Sequence, residues 1–311
     1  MTRPSSARRL SRVVTAGEAG QRLDGLVGPL VGAALGAPVS RAAVRRLVMA
    51  GAVRVDGRPL RRPGAALAAG SRLEVLVDPT RLGPPPAERE AARRFGPERF
   101  VYRDAFLLAV DKPAGLAMHA TADASRPNLY DLVKALLRSE GGEPYLGLHH
   151  RLDLETSGVV LFTLDPAANA ALARAFETGE GVAKTYHALC TRPAHRVPAR
   201  WRVTGPLGDD GPHADTAFRV LRALPAALLV EARPSTGRKH QIRIQLAQRG
   251  LPILGDRRYG RPGGRDAPRV MLHAHRLALT HPLTGAALTI TSPYPPDFER
   301  LVTRTPRRAR S

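Results

Sequence analysis

The stretch HRLDLETSGVVLF, residues 150–162, places one carboxylate, Asp153, between a basic pair and a Thr-Ser-Gly turn. An unbroken apolar run at residues 159–162 follows and is typical of a buried strand. An acid at such a position is most often a turn former or a helix cap. The alternative is a functional acid aimed by a rigid turn, and the rest of the sequence decides between the two.

Length and charge restrict the class of protein. The chain has 311 residues, which at roughly 150 residues per domain suggests two domains. Apolar residues make up 43% of it, enough for a folded core. The 48 Lys and Arg against 27 Asp and Glu give a formal charge of +21. Such an excess favours a polyanion, and we expect nucleic acid rather than an anionic membrane surface.

Signals for a cofactor or a metal are weak. Cys190 is the single cysteine, so no internal disulfide and no cysteine-built zinc site can form. The segment GRPGG at residues 260–264 lacks the spacing of a phosphate- or dinucleotide-binding loop. Histidine pairs such as His149 and His150, without paired acids, are weak metal signals. We therefore expect no cofactor and no metal. Since no run reaches about 18 apolar residues, we also expect a cytoplasmic protein.

The N-terminal sequence predicts a small module over residues 21–78, preceded by a disordered basic arm at residues 1–20. Ser40 is a suitable helix N-cap. The apolar residues after it recur at helical spacing: Val44, Leu47 and Val48. The segment AVRVDGRPL alternates and turns at Asp56-Gly57, which predicts a hairpin.

This module resembles the small RNA-binding domain named after a small-subunit ribosomal protein, the S-four domain. The resemblance rests on SRAAVRRLVMAGAVRVDG, residues 40–57, and GSRLEV, residues 70–75. Between residues 40 and 62 the sequence has seven arginines and one acid. A solvated helix face would account for them, but with the resemblance we expect contacts to RNA phosphates. The expected RNA-binding residues are Arg41, Arg45 and Arg46.

The remaining sequence divides into a linker, a large domain and a tail. Residues 79–98 contain three consecutive prolines and predict a linker. Residues 99–295 predict one domain, and residues 296–311 a mobile basic tail. Because strands do not alternate regularly with helices, the large domain is predicted to be α+β. Its predicted helices lie near residues 128–139, 165–179 and 239–250.

Four further stretches of the large domain carry conspicuous polar residues: LLAVDKPAGLAMH (107–119), KTYHALC (184–190), RPSTGRKHQIRIQLAQRGLPILGDRRYG (233–260) and VMLHAHRLALTHPLTG (270–285). Each alone has an ordinary explanation, since a strand tyrosine is usually core and a helical arginine usually faces solvent. In this order, together with HRLDLETSG, they resemble the RluA-type pseudouridine synthases. HRLDLETSG matches that family's pattern HRLDxxTSG at every fixed position, and the resemblance extends over roughly residues 100–290.

Three positions depart from the family's pattern. Lys239 stands where Thr or another small residue is usual, and Gln245 where His is common. Cys190 stands where Gly often follows the strand. None of the three is a residue that the mechanism needs, but all bear on loop geometry and RNA preference.

The resemblance implies a mixed, largely antiparallel sheet with flanking helices, and a cofactor-free isomerisation of uridine to pseudouridine in RNA. It makes Asp153 the catalytic residue, acting at the sugar as nucleophile or as base. Arg243 would keep Asp153 ionised, Tyr186 would stack under the uracil, and Arg151 would fill the gap left by the extruded nucleotide. Further RNA contacts are expected from Lys112, His150, Lys184, Arg238 and His240.

The attached S-four-like module favours large-subunit rRNA as the substrate. A tRNA-directed synthase of the same class is one alternative. A catalytically silent RNA-binding or ribosome-assembly factor is another, against which the intact Asp153, Tyr186 and Arg243 argue. The strong charge favours a monomer.

Overall fold

The structure is a computed structural model that describes residues 8–36, 38–78, 86–120, 126–208, 211–225, 227–260 and 267–303. The chain divides into two compact units. One comprises residues 1–92 and 119–131, and the other residues 93–118 and 132–311. No helix in the described ranges is long and apolar enough to span a membrane.

The first unit packs helices against a small antiparallel sheet. Its helices are α1 (Leu23–Leu35), α2 (Arg41–Met49) and α3 (Pro86–Arg93). Its strands are β1 (Arg8–Val13), β2 (Val53–Val55), β3 (Arg58–Pro59) and β4 (Arg72–Val77), in the order β1-β4-β2-β3. The core lies between α1, α2 and the sheet, where Leu23, Leu73 and Val75 are fully buried.

The local sequence signals of this unit are confirmed. Ser40 caps α2, with its hydroxyl oxygen accepting a hydrogen bond from the Ala43 backbone N–H over 3.2 Å. The predicted helical stripe of Val44, Leu47 and Val48 is buried. The hairpin turns at Asp56-Gly57, where both residues have positive φ (50° and 76°) as a tight two-residue turn requires.

The boundaries of the module differ from the prediction. Residues 8–13, assigned to a disordered arm, form β1 and pair along their whole length with β4. The dense arginines obscured a period-two alternation in which Leu10 packs against the core. Within the predicted linker, residues 86–93 form α3. Residues 1–7 and 79–85 lie outside the described residues.

The second unit is built on one large sheet with helices around it. Its strands are β5 (Phe100–Arg103), β6 (Leu107–Lys112), β7 (Gly147–Leu148), β8 (Ser157–Thr163), β9 (Val182–Thr191), β10 (Arg200–Pro206), β11 (His213–Ala223), β12 (Ala227–Pro234), β13 (Leu272–Thr280) and β14 (Ala287–Thr291). Its helices are α4 (Leu129–Ser139, of which 129–131 count with the first unit), α5 (Asn169–Thr178), α6 (Gln241–Gln248) and α7 (Pro296–Thr303).

The sheet is mixed and largely antiparallel, as predicted. Its order is β10-β11-β12-β9-β13-β8-β6-β5, with β14 added to β13 and β7 to β8. Only β8 and β13 run parallel among the described strands. All seven residues of β8 are buried, so the apolar run that follows Asp153 anchors the turn in the centre of the sheet.

Gly158 is required at the junction of β8 and β13. Its φ is +119°, and a Cβ at this position would lie 2.2 Å from the Ala274 carbonyl oxygen. Side chains rarely adopt this backbone conformation, and no side chain fits the contact. The glycine of the Thr-Ser-Gly turn therefore lets the two parallel strands approach.

The predicted basic tail begins with a packed helix. Residues 296–303 form α7, in which Phe298 is fully buried and Val302 is 9% exposed. Their i, i+4 spacing was hidden in the sequence by the charged residues around them. The mobile-tail prediction is therefore wrong for this segment, and residues 304–311 lie outside the described residues.

Candidate active site

Asp153 lies in a turn that leads directly into β8. The Asp153 carbonyl oxygen accepts a hydrogen bond from the Thr156 N–H over 3.1 Å, which closes the turn. The Leu154 carbonyl accepts a second bond from the Gly115 N–H over 2.8 Å. The KPAG loop after β6 is therefore hydrogen-bonded to the turn and supports it.

Lys112 holds the same turn from inside the protein. The residue is fully buried, and its Nζ donates to the carbonyl oxygens of Pro113 (3.1 Å), Leu116 (2.8 Å) and Leu154 (3.2 Å). Burial, followed by the positive charge of Arg269, lowers the pKa of Lys112 to about 7. The prediction that Lys112 contacts RNA is wrong, because all three donors bind backbone inside the fold.

Arg243 is the cation beside Asp153, as predicted. It lies on α6, is 7% exposed, and directs Nη1 to Asp153 Oδ2 at 3.3 Å. Its Nε donates to Asp256 Oδ2 over 2.7 Å and its Nη2 to Asp256 Oδ1 over 2.9 Å. One guanidinium thus joins two carboxylates and presents one of its nitrogens to Asp153.

Asp256 was not identified from the sequence. Burial alone would raise the pKa of Asp256, but the two hydrogen bonds from Arg243 and the backbone N–H of Tyr259 hold that pKa below its ordinary value. The carboxylate therefore stays charged and fixes the orientation of Arg243. Its signal in the sequence is an acid after a glycine in GDRRYG, within the polar stretch of residues 233–260.

Tyr186 and Asp153 line one open cavity of about 320 Å³, at the small end of the range of ligand sites, roughly 300–1,000 Å³. Arg151, Lys184, Arg238, His240 and Arg243 share the lining. Burial, together with the negative charge of Asp153, raises the pKa of the Tyr186 hydroxyl well above its ordinary value. Tyr186 is therefore a neutral ring at neutral pH, as a stacking surface requires.

His240 and Lys184 contribute polar atoms to this cavity. His240 caps α6 in the left-handed conformation (φ 57°), with Nδ1 3.0 Å from the Tyr259 hydroxyl and Nε2 3.7 Å from Asp153 Oδ1. The Lys184 Nζ lies 5.0 Å from the centre of the Phe176 ring, and burial lowers its pKa. The structure thus brings both predicted residues to the cavity with Asp153.

His150 also lines the cavity, but its imidazole is held by the fold. Nε2 accepts a hydrogen bond from the Leu161 N–H over 2.8 Å, and the ring stacks on Phe176 at 4.4 Å. Burial, then the positive charge of Lys184, lowers the pKa of His150 to about 3. The ring is therefore neutral at neutral pH and offers RNA no positive charge.

The other predicted RNA contacts lie at exposed or half-exposed positions. Arg151 and Arg238 are exposed, and Arg238 Nε donates to the His213 carbonyl over 3.1 Å. In the first unit, Arg41 and Arg45 are exposed and Arg46 is half-buried. The contacts of all five with RNA stay predictions.

The three departures from the family pattern have clear local settings. Gln245 is buried, accepts a hydrogen bond from the Thr216 hydroxyl (2.6 Å) and donates to the Val203 carbonyl (3.3 Å). Cys190 is buried in β9, and Lys239 is exposed.

Within the described ranges, no group of three or more His, Cys, Asp and Glu residues is suited to hold a metal ion.

Known protein families match part of each unit. The RNA pseudouridylate synthase family matches residues 106–248, and the S4 domain matches residues 30–73. An uncharacterized RNA pseudouridine synthase of Mycobacterium bovis is 33% identical over 93% of this chain and 96% of its own length. The ribosomal large subunit pseudouridine synthase D of Xanthomonas campestris is 31% identical over 93% of this chain and 90% of its own.

Two further relatives match a smaller share of the chain. The dual-specificity RNA pseudouridine synthase RluA of Haemophilus influenzae is 34% identical over 62% of this chain and 91% of its own. The structure titled human RNA pseudouridylate synthase domain containing 4 is 26% identical, with a TM-score of 0.55 over 71% of this chain and 97% of that one. Taken with the fold and the cavity, these similarities show that the chain belongs to the RNA pseudouridine synthase family, carries an S4 domain, and is an isomerase that converts uridine in RNA to pseudouridine.

Proposed function

We propose that the protein converts specific uridines of large-subunit rRNA to pseudouridine, with Asp153 as the catalytic residue. The observation that carries the proposal is the pairing of Asp153 with Arg243, 3.3 Å apart, beside Tyr186 in one open cavity. A carboxylate that pairs with a guanidinium and shares a cavity with an aromatic ring fits a reaction in which a base must leave its sugar and turn.

The reaction needs one acid and no co-reactant. The N1–C1′ bond of the uridine breaks, the uracil turns, and a C5–C1′ bond forms. The proton of C5 leaves to solvent and N1 gains a proton, so atoms and charge balance. Asp153 acts on the ribose, as nucleophile at C1′ or as base. Glycoside hydrolysis would instead require a second carboxylate facing the first across the scissile bond.

The other cavity residues have distinct roles in this proposal. Arg243 keeps Asp153 ionised as RNA fills the cavity and water leaves it. Tyr186 supports one face of the uracil while it turns. Arg151, exposed at the rim, fills the space that the target nucleotide leaves in its stack, since extrusion costs a few kcal/mol.

Two observations favour large-subunit rRNA. The Xanthomonas campestris relative, named for the ribosomal large subunit, matches along 93% of this chain, whereas the relative named for dual specificity matches along 62%. This chain also carries an S4 domain, whose arginines supply charge for a large RNA. A monomeric state, suggested by the charge, and a cytoplasmic location, suggested by the shortness of the apolar runs, are part of the same proposal.

Release of tritium from C5-labelled uridine tests the proposal. Unmodified large-subunit rRNA and a tRNA pool are incubated separately with the wild type, with Asp153→Asn and with Glu177→Gln. Glu177 is an exposed carboxylate on α5 and serves as the control. We expect release from rRNA by the wild type and by Glu177→Gln, and none by Asp153→Asn despite retained RNA binding. Release from tRNA alone would refute the rRNA assignment, and turnover by Asp153→Asn would refute the role of Asp153.

A further inference from the structure

A buried arginine, Arg269, lies behind the turn that carries Asp153. It precedes β13 and is 8% exposed. Its guanidinium forms six hydrogen bonds, in which Nε, Nη1 and Nη2 all take part. It lies beyond residues 106–248, the part of the chain that matches the synthase family. No sequence motif assigns it a role.

One side of Arg269 binds the catalytic turn. Nη1 donates to the Glu155 carbonyl oxygen over 3.2 Å, and Nη2 donates to Ser157 Oγ over 3.2 Å. Ser157 Oγ is also 3.0 Å from His273 Nδ1, so the start of β8 is fixed from two directions. Residues 155 and 157 follow Asp153 in the turn and at the start of β8, so these bonds constrain the backbone that carries the Asp153 carboxylate.

The other side of Arg269 binds the C-terminal helix. Nε donates to Asp297 Oδ2 over 2.7 Å and Nη2 to Asp297 Oδ1 over 3.0 Å. Asp297 is the second residue of α7, and its Oδ1 also accepts the Phe298 N–H over 2.9 Å. Phe298 anchors the helix in the core. Helix α7 therefore holds Asp297, and Asp297 holds Arg269.

We propose that Arg269 and Asp297 are positioning residues that fix the turn of Asp153, so that helix α7 is part of the catalytic apparatus. This inference rests on the proposed role of Asp153. A forked, charge-assisted pair suits this task because both partners are constrained in angle as well as in distance. A displacement of about 1 Å at a reacting group can cost roughly 100-fold in rate.

A role in stability alone would give the same contacts, so the test must separate the two. The variants are Asp297→Asn and Arg269→Lys, each of which keeps the size of the side chain and breaks the forked pair. Glu231→Gln is the matched control. Glu231 is 7% exposed, pairs with Arg233 at 3.0 Å and with Arg219 at 3.1 Å, and has no contact with residues 153–157 in any described interaction. Each variant is measured for kcat, RNA affinity and thermal midpoint.

We expect kcat to fall roughly 10- to 100-fold in Asp297→Asn and in Arg269→Lys, with RNA affinity nearly unchanged. Glu231→Gln should lose thermal stability and keep kcat. The double variant should be no slower than the slower single variant, because the two residues act as one unit. If Asp297→Asn does not fold, Ser157→Ala removes one bond between Arg269 and the turn and should lower kcat several-fold.

The outcomes separate this inference from the proposed function. Wild-type kcat in Asp297→Asn and Arg269→Lys, with an inactive Asp153→Asn, would overturn the positioning role and leave the role of Asp153 intact. An equal fall of kcat in Glu231→Gln would also overturn it, because any lost ion pair would then have the same effect. An active Asp153→Asn would overturn both.

Discussion

Arg243 binds both carboxylate oxygens of Asp256, at 2.7 Å and 2.9 Å, and turns its third nitrogen toward Asp153 at 3.3 Å. The two carboxylates are therefore unequal partners of one cation. Asp256 holds the guanidinium in place through the closer, forked contact. Asp153 receives a single longer bond at Oδ2, and its Oδ1 lies 3.7 Å from His240 Nε2.

Replacing Asp256 by Asn should therefore impair catalysis, although Asp256 itself does not contact the substrate in the proposed mechanism. The amide cannot accept from both Nε and Nη2, so Arg243 can turn away from Asp153. We expect kcat to fall roughly 10- to 100-fold, and the free energy of unfolding by about 3 kcal/mol, because a buried arginine loses its main partner. Tritium release and urea denaturation measure the two effects.

Glu88→Gln is the control for this variant, since Glu88 is a buried acid of the first unit that pairs with Arg126. It should lose stability and keep kcat. Normal turnover by Asp256→Asn would show that Arg243 needs no anchor.

The sequence predicted the elements whose signals are local. Ser40, the stripe that begins at Val44 and the Asp56-Gly57 hairpin follow from capping, periodicity and turn chemistry within a few residues. Strand β1 and helix α7 were missed, because charged residues masked their apolar positions and their partners lie far away in the sequence. Long-range pairing decides these two segments.

In the candidate site too, the residues with a motif were predicted and those with only long-range contacts were not. Asp153, Tyr186 and Arg243 were identified by the family's motifs and meet in one cavity. Lys112 was misjudged, because nothing local shows that its Nζ bonds to Leu154, 42 residues away. Asp256 lies inside one of these motifs without a predicted role, since a carboxylate that supports another residue has no local signal of its own.

Gly158→Ala should be strongly destabilising. The added Cβ would lie 2.2 Å from the Ala274 carbonyl oxygen, and a φ of +119° strains any other residue. Strain and overpacking together should cost about 3–5 kcal/mol. Gly285→Ala is the control, since Gly285 has φ +73° with nothing within 4 Å and should cost only about 1–2 kcal/mol. Equal denaturation midpoints for the two variants would contradict the close approach of β8 and β13.

The neutral imidazole of His150 predicts acid sensitivity. Its pKa is lowered from 6.5 to about 3, mainly by burial, so the unfolded chain binds one more proton than the folded chain between these values. Stability therefore rises with pH through this window and is lost as pH falls below 6.5. From pH 6.5 to 5, His150 alone should cost about 2 kcal/mol.

His150→Gln tests this expectation, because the amide oxygen can still accept from Leu161 but does not titrate. Between pH 7 and pH 5, the free energy of unfolding of this variant should fall by about 2 kcal/mol less than that of the wild type. The exposed His195, changed to Gln, serves as the control and should follow the wild type. Parallel curves for wild type and His150→Gln would mean that His150 takes up its proton as readily in the folded protein as in the unfolded chain.

The basic face of α2 should contribute to the salt dependence of RNA binding. Arg41 and Arg45 are exposed one helical turn apart in the first unit. The double variant Arg41→Gln/Arg45→Gln should weaken binding. It should also reduce the slope of log affinity against log salt by about 1–2, since each phosphate contact contributes about 0.7 to 0.9. The measurement is a salt titration of binding to large-subunit rRNA with Asp153→Asn in the background, so that no turnover occurs.

Arg9→Gln/Arg22→Gln is the matched control, because it removes the same charge from the same unit. Arg9 pairs with Glu74 at 2.9 Å, and Arg22 with Asp24 at 2.8 Å. Each cation is therefore partly neutralised by its carboxylate and attracts RNA phosphates less strongly. Its slope should stay close to that of the parent. Equal slopes for the two double variants would mean that the net charge of the unit, rather than the face of α2, attracts the RNA.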